Sequence, residues 1–173
     1  MKVLIIIDML NGFCRSGFPL SLPVQTLDIE KYIRERIIET NKQGGKVFFI
    51  CDNHSLSDPE IGNPYPPHCI KGTEEAEIID DLKPFAVTST ILTKNTLSIF
   101  FNTGLEKYLH DIKPTEVEIT GVCTDICDLF AVYEMRIRGY KVVVSPNGVL
   151  SLDPNKQTEN LIFFKDRLGA IIR

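Results

Sequence analysis

The side chains able to do chemistry fall at a few points of this sequence. Asp8 ends an apolar run, Asp52 and His54 form an Asp-x-His pair, and Glu60 and His68 follow in a proline-rich stretch. Lys94 ends a third β-rich run, and Cys127 closes the segment GVCTDIC. A thiol, an ammonium and a carboxylate suffice for nucleophilic catalysis: the sulfur attacks, the cation favours the thiolate, and the carboxylate moves protons. One or two imidazoles with carboxylates and open positions suit zinc, iron(II) or manganese in a catalytic role, whereas structural zinc wants four thiolates or imidazoles. Two of the three histidines lie in this stretch, which favours a site over two ordinary loop residues. The third, His110, falls at a predicted helix end and reads as a surface residue. Taken singly, Asp8 reads equally as a turn cap, Lys94 as a solvated lysine and Cys127 as a small buried hydrophobe. Cys14, Cys51 and Cys69 lack a comparable setting and read as packing residues.

Short β-rich runs alternate with longer amphipathic stretches, the pattern of a parallel α/β sheet. The runs at 2–7, 46–51, 90–93, 116–120 and 141–145 predict five strands, and 169–172 predicts a short sixth. Helical spacing predicts helices over 27–43, 74–82, 103–110, 125–138 and from Asp153 to about 168. Gly44, Gly45 and Gly139 serve as stops, and Thr124 or Asp125 as an N-cap. Asp153 followed by Pro154 reads as a cap and first helical residue. Gly121 reads as the opening of a turn. Residues 53–73 hold four prolines and two glycines, too many breakers for a long element, and such a connection is more often functional than idle. The expected architecture is a single domain over 1–173, a three-layer sandwich with a mostly parallel sheet of five to six strands. Ligands of open α/β sheets bind outside the carboxyl ends of the strands. Asp8, Asp52 with His54, Lys94 and the turn to Cys127 follow four of the predicted strand ends, so they share one rim. Cys127 also falls in the first turn of a predicted helix, where free N–H groups and the helix dipole favour a thiolate.

Composition narrows the partners. With 173 residues, 43% apolar and 24% charged, the chain can bury a full core. Its net charge of −4 lacks the basic surplus of a non-specific nucleic-acid binder. No apolar run approaches the roughly 20 residues that span a bilayer, and Asp8 interrupts the opening run too early for a signal peptide. Five cysteines, an odd count without the density of a disulfide scaffold, predict a reducing cytoplasm.

These residues, taken in order, resemble the nicotinamidases of the cysteine-hydrolase superfamily that also holds the isochorismatases. The likeness rests on Asp8, the Asp52-x-His54 pair, PPHCIKGT with His68, Lys94 in KNTLSIFFNTGL and GVCTDIC with Cys127. It implies a catalytic triad of Asp8, Lys94 and Cys127, and a thioester formed on Cys127 from the carboxamide of nicotinamide. It also implies an oxyanion hole from the N–H groups of Cys123 and Cys127, with a cis peptide between Val122 and Cys123. One divalent metal, zinc first and iron or manganese otherwise, would be held by Asp52, His54, Glu60 and His68 and would orient the pyridine ring. Phe13 and Tyr65 match aromatic positions that flank that ring. The chain departs from the family pattern at Leu10 (usually Gln), Gly12 (usually Asp), Tyr65 (often Trp) and Asp128 (usually apolar). Asp128 would set a charge beside the nucleophile if it turned inward. The resemblance makes the partner a small molecule, with pyrazinamide a second substrate, and leaves a homo-oligomer open. Two other readings stand beside it: a related hydrolase of another amide, and a non-catalytic domain that binds a ligand or partner.

Overall fold

The structure, a computed structural model, describes residues 1–22, 24 and 26–173. Six strands run β1 (Lys2–Ile7), β2 (Lys46–Asp52), β3 (Thr90–Lys94), β4 (Glu116–Val122), β5 (Val142–Leu150) and β6 (Ile171–Ile172). They form one all-parallel sheet of order β3-β2-β1-β4-β5-β6. The helices are α1 (Asn11–Cys14), α2 (Leu27–Lys42), α3 (Lys83–Ala86), α4 (Leu105–Ile112), α5 (Cys127–Ile137) and α6 (Gln157–Asp166).

Strand alternation explains why both sheet faces are covered. Val3, Ile5 and Ile7 of β1 pack with Ile50, Leu105, Leu109, Ala131, Met135 and Phe164, so α4, α5 and α6 lie on their face. Leu4 and Ile6 pack with Ile29, Ile33 and Ile37 of α2 and with Phe49 and Ala86, so α2 and α3 cover the other. A strand buried on both faces has to be apolar throughout, as LIII in β1 is. Among the described residues no helix is long and apolar enough to cross a membrane.

The predicted parallel sheet flanked by helices holds, with several local corrections. No helix spans 74–82: a single 3-10 turn at Glu74–Ala76 precedes a bridge from Ile78 to Leu10, and Ile79 N–H bonds Met9 O. Pairing with the end of β1 has taken the backbone groups that a helix would use. Gly121 lies inside β4 rather than opening a turn. Its φ is +124°, and a Cβ there would sit 2.0 Å from Ile7 O, so only glycine lets β1 and β4 approach so closely. Helix α5 begins at Cys127, and neither Thr124 nor Asp125 caps it; Asp125 instead accepts the N–H groups of Leu152 and Asp153. Asp153 does cap the next turn, accepting Asn155 N–H.

Strand order reverses between β1 and β4. The crevice at that switch point, beyond the carboxyl ends, is where doubly wound sheets bind ligands.

Candidate active site

Adjacent strands deliver the reactive groups. Asp8 follows β1, with a left-handed φ of 52° that turns its side chain off the strand, a conformation aspartate tolerates better than most residues. Its Oδ1 accepts the Asp52 N–H at 2.8 Å, and its Oδ2 lies 2.8 Å from Lys94 Nζ. Lys94, the last residue of β3, also bonds Asp52 Oδ1 and donates to Cys127 Sγ at 3.6 Å. Glu134 of α5 accepts Ser98 Oγ–H at 2.6 Å and Ile99 N–H at 3.1 Å, which ties the loop after Lys94 to the helix that starts at Cys127. Asp8, Asp52, Lys94 and Cys127 are all buried.

Burial sets the protonation of this cluster. Desolvation first, then the Asp52 charge, pushes the Asp8 carboxyl up to about 6 against the pull of Lys94. Burial also works against the charge on Asp52, but the Lys94 ammonium outweighs it and holds that group ionised. Burial alone would lower Lys94; Asp52, Asp8 and Cys127 reverse this and keep it an ammonium. Cys127 corrects the expected thiolate. Burial drives its thiol well above the ordinary range, and Lys94 only partly offsets that. The resting pair is therefore a thiol beside a carboxylate, and the carboxylate has to take the proton. Asp128 does turn inward and is wholly buried. Burial, then the charges of Asp8 and Asp125, raises its carboxyl far above the usual range, so it sits as a neutral acid rather than a charge beside the sulfur.

The Val122–Cys123 peptide is cis. Among the described residues neither the Cys123 N–H nor the Cys127 N–H has an acceptor; Cys123 O takes the N–H groups of Ile126 and Asp128 instead. These two donors are free for an oxyanion at the N-terminal end of α5. Around them lies a narrow pocket lined by Phe13, Leu20, Tyr65, Leu97, Ile126 and the two cysteines, with Asp52 and His68 also in its wall. Phe13 and Tyr65 each meet the His68 ring edge-on, at 5.8 and 5.9 Å.

Asp52, His54 and His68 each offer a ligand atom within 4.8 Å of the others. His68 turns Nδ1 to Pro66 O at 2.8 Å, and a carbonyl can only accept, so the proton is on Nδ1. Its Nε2 lone pair then faces Asp52 Oδ2 at 3.7 Å. The buried His54 Nε2 has no hydrogen-bond partner and faces Asp52 Oδ1 at 3.5 Å. Two ring nitrogens and a carboxylate converge there out of water, a donor set that fits a divalent metal. Glu60 is not brought into the group: its carboxylate accepts Leu97 N–H at 2.8 Å. His110 is exposed at a helix end. The sequence reading missed Leu20, Leu97 and Ile126 of the pocket wall, which carry no signal in a single chain. It also missed Asp58 and Asn95, although Asp58 stands four residues after His54.

Residues 2–173 match the isochorismatase domain. The chain is 31% identical over 178 residues to an isochorismatase-family protein of Bacillus subtilis, PncA, covering 98% of this chain and 97% of that one. The crystal structure of the nicotinamidase PncA from Bacillus subtilis superposes with a TM-score of 0.91 at 31% identity, over 99% of this chain and 98% of that one. A Pyrococcus horikoshii pyrazinamidase solved in complex with zinc gives 0.84 at 25% identity, over 99% and 98%. With a match that runs nearly end to end and a Cys–Lys–Asp cluster at the switch point of the sheet, the chain belongs to the isochorismatase family of hydrolases.

Proposed function

We propose that this hydrolase is a nicotinamidase, converting nicotinamide and water to nicotinate and ammonia, with the whole chain acting as one unit. The observation that carries the reading is that Cys127, Lys94 and Asp8 meet beside the Asp52–His54–His68 group, with Cys127, Asp52 and His68 all in the wall of one small, mostly apolar pocket. Such a pocket suits a neutral heteroaromatic ring with a carboxamide. Likeness to the Bacillus nicotinamidase and to the zinc-containing pyrazinamidase supports the same assignment.

In this mechanism Asp8 accepts the Cys127 proton as Sγ attacks the carboxamide carbon, and the carbonyl electron pair moves onto oxygen. The N–H groups of Cys123 and Cys127 receive that charge, an effect that commonly dominates acyl transfer. As the C–N bond breaks, Asp8 passes its proton to the leaving nitrogen, and ammonia departs from a Cys127 thioester. Asp8 then takes a proton from the attacking water, the C–S bond breaks and the proton returns to sulfur. Lys94 stays charged throughout and holds the Asp8 carboxylate against the thiol. Phe13 and Tyr65 flank the ring with Leu20 and Leu97, and Glu60 shapes the pocket through its bond to Leu97. Asp52, His54 and His68 would hold one divalent metal, zinc before iron or manganese, which when bound supplies a Lewis-acid contact that orients the ring nitrogen. The nicotinate formed would enter cytoplasmic pyridine-nucleotide salvage.

Ammonia release from nicotinamide, measured beside elemental analysis of the purified protein, tests the assignment. The expected result is turnover of both nicotinamide and pyrazinamide, near-stoichiometric metal, and no turnover in a folded Cys127→Ala variant. Ammonia release that survives in Cys127→Ala, or a metal-bearing protein inert on both amides, overturns it.

A further inference from the structure

Asp58 touches both halves of the site, and the steps above leave it without a task. It closes the turn that follows His54: its Oδ2 accepts Ser55 N–H at 2.8 Å and lies 3.3 Å from His54 Nδ1. Its Oδ1 accepts Asn95 Nδ2–H at 3.1 Å, and Asn95 is the residue after Lys94.

The position of this carboxylate decides the state of a buried imidazole. With its proton on Nδ1, His54 donates to Asp58 and leaves the Nε2 lone pair facing Asp52, where it has no partner. The other tautomer would satisfy Asp52 but would turn a lone pair onto a carboxylate oxygen 3.3 Å away. A carboxylate that accepts the far N–H of a ligating imidazole fixes the ring's orientation and makes the ligating nitrogen a stronger base.

We infer that Asp58 is a positioning residue that fixes His54 with Nε2 free to ligate a divalent cation and, through Asn95, ties that ligand to the strand carrying Lys94. The inference rests on the reading of Asp52, His54 and His68 as a metal site.

The test uses the full-length protein stripped of metal and titrated with zinc against a chromogenic chelator. The visible spectrum of the cobalt(II) form and thermal unfolding of the metal-free form are recorded in parallel. Losing such a carboxylate typically weakens metal affinity about 10- to 100-fold. Asp58→Ala should fall in that range with a changed cobalt spectrum. Asp58→Asn, which keeps an oxygen for Ser55 N–H but not the charge, should lose less. Asn95→Ala, which frees Asp58 Oδ1, should weaken affinity less than Asp58→Ala does. If Asp58→Ala fails to fold without metal, Asp58→Asn carries the test. Wild-type affinity and spectrum in both Asp58 variants, with or without lost stability, would reduce Asp58 to a turn residue and overturn the inference alone. A wild-type protein that takes up no metal overturns the metal reading and this inference together.

Discussion

Asp8 is the residue on which the proposed chemistry turns, because it has to take the thiol proton in one step and give it to the leaving nitrogen in the next. Burial and the Asp52 charge place it at about 6, whereas an exposed aspartate near 4 would be a weak base. The sign follows from the form that works. The carboxylate accepts the thiol proton, so activity is complete above this value and falls as pH drops through it. Metal at the Asp52 corner would weaken the Asp52 repulsion and move the midpoint down. We expect kcat/KM for nicotinamide to lose about tenfold per pH unit on the acid side, with a midpoint at or below about 6. A pH series on the metal-loaded enzyme checks this; a limb centred above neutrality, or a rate that climbs as pH falls, contradicts the role of Asp8. The residue types were legible from sequence because each lies where a strand ends. The protonation of Cys127 was not: a helix start and a lysine promised a thiolate, but only packing reveals that desolvation wins. Asp128 teaches the same lesson, since its position invited a charge and its burial removes one.

Elements with a strong period were legible, and those decided by a distant partner were not. The run LIII in β1 and the spacing of Ile29, Ile33 and Ile37 in α2 state their own burial. The stretch after Glu74 does not, because its backbone bonds go to Met9 and Asn11, more than 60 residues away. Gly121 is the sharper case. As a residue it signals a turn, yet it extends β4 because the Ile7 backbone occupies the space of its Cβ. That close approach sets Asp8, just past Ile7, beside Cys123 and Cys127, just past Val122. Gly121→Ala combines a disfavoured φ with a backbone clash, and each commonly costs about 1–3 kcal/mol. We expect the variant to lose about 2–5 kcal/mol of stability and most of its activity, read by urea unfolding and ammonia release. Wild-type stability would mean that the two strands part more easily than their contact implies.

At the scale of the molecule, the order β3-β2-β1-β4-β5-β6 brings one functional group from each of four neighbouring strands to the switch point. The price is a crowded, buried corner in which Asp8 and Asp52 share the ammonium of Lys94 and two imidazole Nε2 atoms face Asp52. The unfolded chain has no such arrangement, since His68 is 16 residues from Asp52 in sequence. A cation that binds the assembled corner and not the open chain must therefore stabilise the fold. At free metal about a thousandfold above Kd the linkage is worth about 4 kcal/mol. At about 2–4 °C per kcal/mol for a domain of this size, that is a rise in Tm of about 8–16 °C. Chelation should lower the melting temperature by that order, and zinc should restore it in proportion to the logarithm of its free concentration. His68→Ala, which removes one of the three ligands, should shrink the response while leaving the chelated protein close to wild type. Melting unaffected by both chelator and zinc would mean that the corner tolerates its own repulsion, and the donor set would lose its reason to converge.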